Sequence, residues 1–79
     1  VVNPDHLETE AAGIAEELAA GAPLARRFIK VALDRSASLT FEQALAFEEQ
    51  AQATLLGSED LFEGAAAFIQ KRPPEFRGR

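Results

Sequence analysis

The stretch that decides the fold is residues 58–79, which read SEDLFEGAAAFIQKRPPEFRGR. Ser58 is a residue type that caps helix N-termini, and the two acidic residues after it are favoured in a first helical turn by the helix dipole. Alanine and leucine then continue the helix. Pro73 and Pro74 cannot, because proline lacks an amide hydrogen and its ring clashes with the preceding turn. The segment therefore predicts a helix that begins after Ser58 and ends before Pro73, followed by a basic tail.

Proline and glycine place two helices near the start of the chain. Asn3 followed by Pro4 is typical of a helix start, and an apolar stripe at helical spacing then runs to Gly21, the expected stop. Pro23 is expected to open a second helix at its first turn. The apolar face of this second helix carries Leu24, Phe28, Val31 and Ala32.

A capping box places one more helix in the middle of the chain. Thr40 and Gln43 stand three residues apart, so each side chain can accept a hydrogen bond from the other residue's backbone N–H. Apolar residues at helical spacing follow as far as Gly57, which ends this helix. Val1–Val2 resembles the last two residues of a strand. The sequence therefore predicts an all-α chain of about four short helices, forming one domain over residues 1–79.

Length and composition limit what the chain can do alone. A chain of 79 residues buries only about 60% of its unfolded surface, and without cysteine it has no disulfide or thiolate–metal site to add stability. A net charge of −5 argues against general nucleic-acid binding. No apolar run reaches the ~20 residues of a membrane span, and the lack of cysteine is compatible with the cytoplasmic location that we expect. We therefore predict a small domain that gains stability from another protein surface.

The residue pattern does not support a catalytic or metal site. His6, the only histidine, lies at the start of the first helix and is expected at the surface. No acidic pair stands beside it at metal-ligand spacing, and the five glycines are too scattered to form a phosphate-binding loop. Glu48 and Glu49 are adjacent, so they point to different sides of a helix. The sequence therefore assigns no catalytic residue and no metal ligand.

Residues 58–76 also carry a family pattern. The spacing S-x-D-x-x-E-G-x-x-A-F-x-x-K-R-x-P-x-F is filled by Ser58, Asp60, Glu63, Gly64, Ala67, Phe68, Lys71, Arg72, Pro74 and Phe76. The chain thereby resembles the carboxyl end of the crotonase (enoyl-CoA hydratase/isomerase) family. The departures are Gln70, where glutamate is common, and Pro73, which doubles the usual single proline.

The resemblance implies the carboxyl-terminal helical region of an acyl-CoA enzyme, with a hydratase as the expected activity. An isomerase, hydrolase or other thioester enzyme stays open, because this tail is shared among these activities. The family's oxyanion hole and catalytic glutamates belong to an amino-terminal spiral core, which nothing in these residues matches. The resemblance further implies acyl-CoA as the substrate of the whole protein and no tightly bound cofactor. Val1–Val2, as the end of a severed strand, favours a piece of a longer chain.

The resemblance also implies coenzyme A contacts at Phe68, Lys71 and Lys30. Phe68 and Lys71 are three residues apart and are expected to share a helix face, where a ring could cover the adenine and an ammonium could meet a phosphate. The alternative is that Phe68 is a core residue and Lys71 a cation at the helix end. Lys30 follows a P-x-A segment, as in relatives, and its alternative role is on a solvated face.

The last expectation from the sequence concerns the surfaces that contact other protein chains. In the family, these helices pack subunits into homotrimers or hexamers against neighbouring catalytic cores. Six phenylalanines are expected to divide between a small core and such an interface: Phe28, Phe41, Phe47, Phe62, Phe68 and Phe76. Arg72 is expected to pair with Glu63 or Glu75. The competing hypothesis is a free-standing helical module that binds a partner helix or acidic protein and has no enzymatic parentage.

Overall fold

The computed structural model describes all 79 residues and contains helices but no strand. After a short 3₁₀ turn come four helices: α1 (Leu7–Ala20), α2 (Pro23–Arg35), α3 (Phe41–Leu56) and α4 (Glu59–Gln70). The all-α expectation is confirmed. Val1–Val2 forms no strand here, because a strand needs a hydrogen-bonded neighbour and no residue of this chain supplies one.

Most helix boundaries follow the predicted signals, but α1 begins at Leu7 because a 3₁₀ turn over Pro4–His6 comes first. The Asn3 side chain accepts a hydrogen bond from the Asp5 N–H at 3.0 Å, ahead of the 3₁₀ turn. In the capping box, the Thr40 hydroxyl accepts from the Gln43 N–H at 3.1 Å, and the Gln43 side chain accepts from the Thr40 N–H at 2.9 Å. Gly21 ends α1 in an extended conformation, with φ −85° and ψ 173°, which directs the chain into α2.

Ser58 joins α3 to α4 at a tight corner. Its hydroxyl accepts a hydrogen bond from the Leu61 N–H at 3.2 Å and donates one to the Leu55 carbonyl at 2.7 Å. The residue is buried, so these bonds are shielded from water. One side chain therefore satisfies backbone groups at the end of α3 and at the start of α4, which fixes the angle between the two helices.

The central packing unit is the pair α2 and α3. The rings of Phe28 and Phe47 meet edge to face, with centroids 6.3 Å apart. These two and Phe76 are half-buried, whereas Phe41, Phe62 and Phe68 are exposed, so the six phenylalanines divide as expected.

The chain forms a flat and open array of helices. It measures 42 × 39 × 17 Å, and its Cα radius of gyration is 15.8 Å, against about 12 Å for a compact domain of this length. Its accessible surface is 6679 Å², roughly 2,000 Å² more than a folded monomer of this mass presents. The exposed apolar surface expected from the sequence is therefore confirmed.

The first helix contributes much of this surface. Leu7, Ile14 and Leu18 lie on the apolar stripe of α1, and each is more than half exposed. The stripe thus has the pattern of a buried face but no neighbour within this chain. None of the four helices combines the length and apolar character that crossing a lipid bilayer requires.

Candidate functional site

The candidate site lies at the carboxyl end of α4. The helix ends at Gln70, and Lys71 adopts a left-handed conformation with φ 53° and ψ 42°. The Lys71 N–H donates to the Phe68 carbonyl at 3.3 Å and the Arg72 N–H to the Ala67 carbonyl at 3.1 Å, the pattern of a Schellman motif. The expectation that Phe68 and Lys71 share a helix face is therefore wrong, because α4 ends at Gln70 and Lys71 lies beyond it.

Phe68 is on the outer side of α4. Its side chain is 86% exposed, and its neighbour Ile69 is 79% exposed. Ala67 takes the inward position instead and is only 1% exposed, in phase with the buried Asp60 two turns earlier. Phe68 is therefore not buried by the residues of this chain, and an aromatic ring is left open beside the helix end.

Lys71 is a tail cation that forms no ion pair within the chain. It is exposed, and no carboxylate oxygen lies within 4.0 Å of its ammonium. Arg72 pairs with Glu63, and Arg79 pairs with Glu59. The Lys71 ammonium is therefore available to an anion outside the chain.

Lys30 lies apart from this pair in the sequence, on α2. It is exposed and forms an i, i+4 ion pair with Asp34 at 3.3 Å. Lys30, Phe68 and Lys71 do not line any of the three main cavities of the chain. An exposed pair of this kind is typical of a solvated helix face. A coenzyme A contact at Lys30 stays a prediction.

The tail folds back along α4, where Glu63 and Asp60 accept hydrogen bonds from its backbone and Glu59 pairs with Arg79. We call residues 72–79 the tail strap. Glu63 accepts two hydrogen bonds from the Arg72 guanidinium, at 2.6 and 3.0 Å, and one from the Glu75 N–H at 2.8 Å. The expected pairing of Arg72 with Glu63 is thus confirmed, in a bidentate form.

Asp60 holds the far end of the tail strap. Its two carboxylate oxygens accept from the Arg77 N–H at 2.7 Å and the Gly78 N–H at 2.8 Å, and its own N–H donates to the Arg79 carbonyl at 2.8 Å. The sequence explained Asp60 by the helix dipole alone. The missed signal was its i, i+3 spacing from Glu63, which puts both carboxylates on the same side of α4.

The bidentate pair changes the ionisation of both partners. The hydrogen bond from Arg72, followed by that from the Glu75 N–H, lowers the pKa of Glu63 from 4.5 to about 2. The same pair raises the pKa of Arg72 above its usual value. Both groups therefore stay charged across the physiological range, and the tail strap is held at neutral pH.

Two cavities offer apolar surface. A cleft of about 600 Å³ opens between α2 and α3 beside Phe28 and Phe47. A second cavity of about 380 Å³ lies under Phe76, where Leu24 and Leu61 meet. A third, of about 450 Å³, lies between α4 and the tail strap and is mostly charged. No cluster of three or more potential metal ligands occurs in the chain.

Comparison with known proteins gives consistent matches over the whole chain. A family model described as enoyl-CoA hydratase/isomerase matches residues 1–79. A probable enoyl-CoA hydratase of Rhizobium meliloti (strain 1021) is 43% identical over 79 residues, covering 100% of this chain and 31% of that protein. The 2,3-dehydroadipyl-CoA hydratase of Escherichia coli (strain K12) is 40% identical, covering 99% of this chain and 31% of that protein.

Solved structures agree with these matches. The crystal structure of an enoyl-CoA hydratase from Bacillus anthracis superposes with a TM-score of 0.93 at 34% identity, covering 100% of this chain and 31% of that one. A putative enoyl-CoA hydratase/isomerase from Mycobacterium abscessus gives a TM-score of 0.89 at 37% identity. The chain spans about a third of the length of the relatives that it matches.

Proposed function

Because this chain belongs to the enoyl-CoA hydratase/isomerase family, we propose that it is the carboxyl-terminal helical region of an enzyme that hydrates 2-enoyl-CoA thioesters. In this proposal the region has two roles, which are subunit assembly and contact with coenzyme A. Acyl-CoA enters as the substrate of the whole enzyme, and no tightly bound cofactor is assigned. The acid, base and oxyanion-hole groups come from outside residues 1–79.

The observation that carries the coenzyme A role is the exposure of Phe68 beside an unpaired lysine. A nucleotide presents an aromatic face and several phosphate oxygens. The Phe68 ring can cover the adenine, and the Lys71 ammonium can meet a phosphate. Phe68 and Ile69 are exposed side by side, and adjacent exposed apolar residues favour a site for a partner or ligand.

The assembly role is supported by the amount of apolar surface left open. The total accessible surface, polar and apolar together, exceeds that of a compact monomer by roughly 2,000 Å², which is comparable to the area buried in obligate protein interfaces. Phe41, Phe62 and the stripe of α1 contribute to it. We propose that the catalytic core and neighbouring subunits of a homotrimer or hexamer cover these surfaces.

The test of the coenzyme A role is the substitution Lys71→Ala in the full-length enzyme. It removes the ammonium, so coenzyme A should bind more weakly by ~1–3 kcal/mol, the range for hydrogen bonds to charged groups. Isothermal titration calorimetry with coenzyme A measures this change. Arg35→Ala, which removes another exposed cation, is the matched control and should bind normally.

Oligomeric state should be recorded for both variants by sedimentation. Unchanged affinity in Lys71→Ala, with assembly intact, would leave Lys71 with only the role of ending α4 and would contradict the proposed contact.

A further inference from the structure

Lys71 is the only residue other than glycine that has a positive φ in this chain. A left-handed backbone brings Cβ close to the following carbonyl oxygen, a cost that glycine avoids. Strain of this kind persists where the surrounding structure imposes it, and it is common at ligand sites. The neighbours of Lys71 should therefore reveal what holds it in this conformation.

The tail strap provides that constraint. Arg72, the next residue, reaches back nine positions to form its bidentate bond with Glu63. The chain must reverse direction between Gln70 and Arg72 to allow this contact, and the left-handed turn at Lys71 makes the reversal. Asp60 then holds the strap one turn further along α4, through the N–H groups of Arg77 and Gly78.

The path of the tail strap also places the arginines of the tail close to carboxylates and Lys71 away from them. Arg72 and Arg79 are paired with carboxylates, and Arg77 lines the same groove as four acidic residues. Lys71 lies outside that groove. The arrangement places the three arginines among carboxylates and leaves the lysine ammonium outside that group.

We propose that Glu63 and Asp60 are positioning residues for Lys71. By holding the tail strap they keep Lys71 in its left-handed conformation, in which its ammonium is free to bind a phosphate of coenzyme A. This inference rests on the coenzyme A contact proposed above for Lys71, and it assigns a ligand-positioning role to two carboxylates that do not touch the ligand.

The first experiment measures binding in the full-length enzyme with Glu63→Gln. Loss of the carboxylate charge loosens the strap, so coenzyme A should bind roughly threefold to tenfold more weakly, part of the effect of a charged hydrogen bond. KM should rise more than kcat falls. Glu49→Gln is the matched control, because it removes the same charge from an exposed position on α3 that forms no ion pair with the tail strap.

A double substitution tests whether Glu63 acts through Lys71. In a Lys71→Ala background, Glu63→Gln should add no further loss of affinity. If Glu63→Gln weakens binding as much with Lys71→Ala as without it, the positioning role is wrong. If Lys71→Ala alone has no effect on affinity, the proposed coenzyme A contact is wrong. Glu63 and Asp60 then do not position Lys71 for coenzyme A either.

The second experiment needs no ligand and tests the strap itself. Lys71→Gly removes the backbone strain, so it should raise the Tm of the full-length enzyme by about 2–4 °C. With Glu63→Gln present, Lys71 can relax, and the gain from Lys71→Gly should shrink to less than half. An equal gain in both backgrounds would show that the strap does not impose the conformation, and would overturn the proposal whatever the binding results.

Discussion

Asp60 and Glu63 direct the path of the last residues of the chain. Asp60 is only 5% exposed, and a buried carboxylate is costly unless hydrogen bonds compensate for the water that it loses. The N–H groups of Arg77 and Gly78 supply that compensation. A segment without secondary structure is thus fixed by charge-assisted hydrogen bonds to one helix, since such bonds are about twice as strong as neutral ones.

The ionisation of Glu63 gives a prediction about acid stability. Its pKa is about 2 in the folded chain, below its ordinary value of 4.5. The unfolded chain therefore binds this proton more readily, so the contribution of Glu63 to stability is complete above about pH 5 and is lost as the pH falls from about 4.5 to 2. We expect the urea midpoint for unfolding of the full-length enzyme to decrease as the pH is lowered through this range.

The matching variant is Glu63→Gln, which cannot titrate at this position. Its urea midpoint should be lower at neutral pH and should depend less on pH between about 5 and 2. Circular dichroism at several pH values measures both proteins. An acid-induced loss of equal steepness in Glu63→Gln would show that other carboxylates cause it.

At the scale of the elements, the corner between α3 and α4 has the most shielded cap. The Ser58 hydroxyl both donates and accepts, and it is buried, whereas Thr40 caps α3 from an exposed position. Loss of an N-cap side chain costs about 0.5–2 kcal/mol. Ser58→Ala also leaves the Leu55 carbonyl without the Ser58 O–H, so its cost should lie at the upper end of that range.

The comparison with Thr40→Ala makes this prediction specific. Thr40→Ala should cost about 1 kcal/mol, because water can replace the lost hydroxyl at an exposed cap. Urea unfolding of the two variants measures the free energy of unfolding that each substitution costs. A smaller cost for Ser58→Ala than for Thr40→Ala would mean that the corner relaxes and that Ser58 does not fix the angle between the helices.

At the scale of the whole molecule, the flat shape determines how the chain behaves in isolation. With four residues buried and no large side chain fully enclosed, the interior is too small to support a stable monomer. We expect the isolated 79-residue chain to self-associate as its concentration rises, which sedimentation velocity would detect. A sharp monomer over the whole concentration range, with cooperative thermal unfolding, would contradict this.

Phenylalanine substitutions can separate association from folding. Phe41→Ser removes an exposed ring, so it should reduce association while helix content is kept. Phe28→Ser removes a half-buried ring that packs on Phe47, so it should reduce helix content instead. Circular dichroism and sedimentation on the same samples would report the two effects.

The isolated chain should also lack hydratase activity. Catalysis of hydration needs an acid–base group and donors for the developing oxyanion, and the sequence provides no candidate for either. A crotonyl thioester assay with purified 79-residue chain should therefore show no turnover above buffer. Turnover that copurifies with the chain, and that resists removal of contaminants, would contradict the proposed division of roles.

Local chemistry by itself determined where the helices lie. The boundaries at Pro23, Thr40, Gly57 and Ser58 follow from capping, proline and glycine, which act within a few residues and can be recognised in any chain. The family pattern at residues 58–76 likewise needs only the order of residues. The end of α4 was predicted less well, since Pro73 and Pro74 forbid a helix but do not say which residue before them will reverse the chain.

Only the tertiary structure decided which groups meet across the chain. That Phe68 faces outward, that Lys71 turns left-handed, and that Asp60 receives the tail all depend on contacts between residues up to 19 positions apart. Helical periodicity describes one helix at a time and cannot state which face will be covered. For the same reason the sequence allowed Phe68 to be either core or contact residue, and only the folded chain showed that its ring is exposed there.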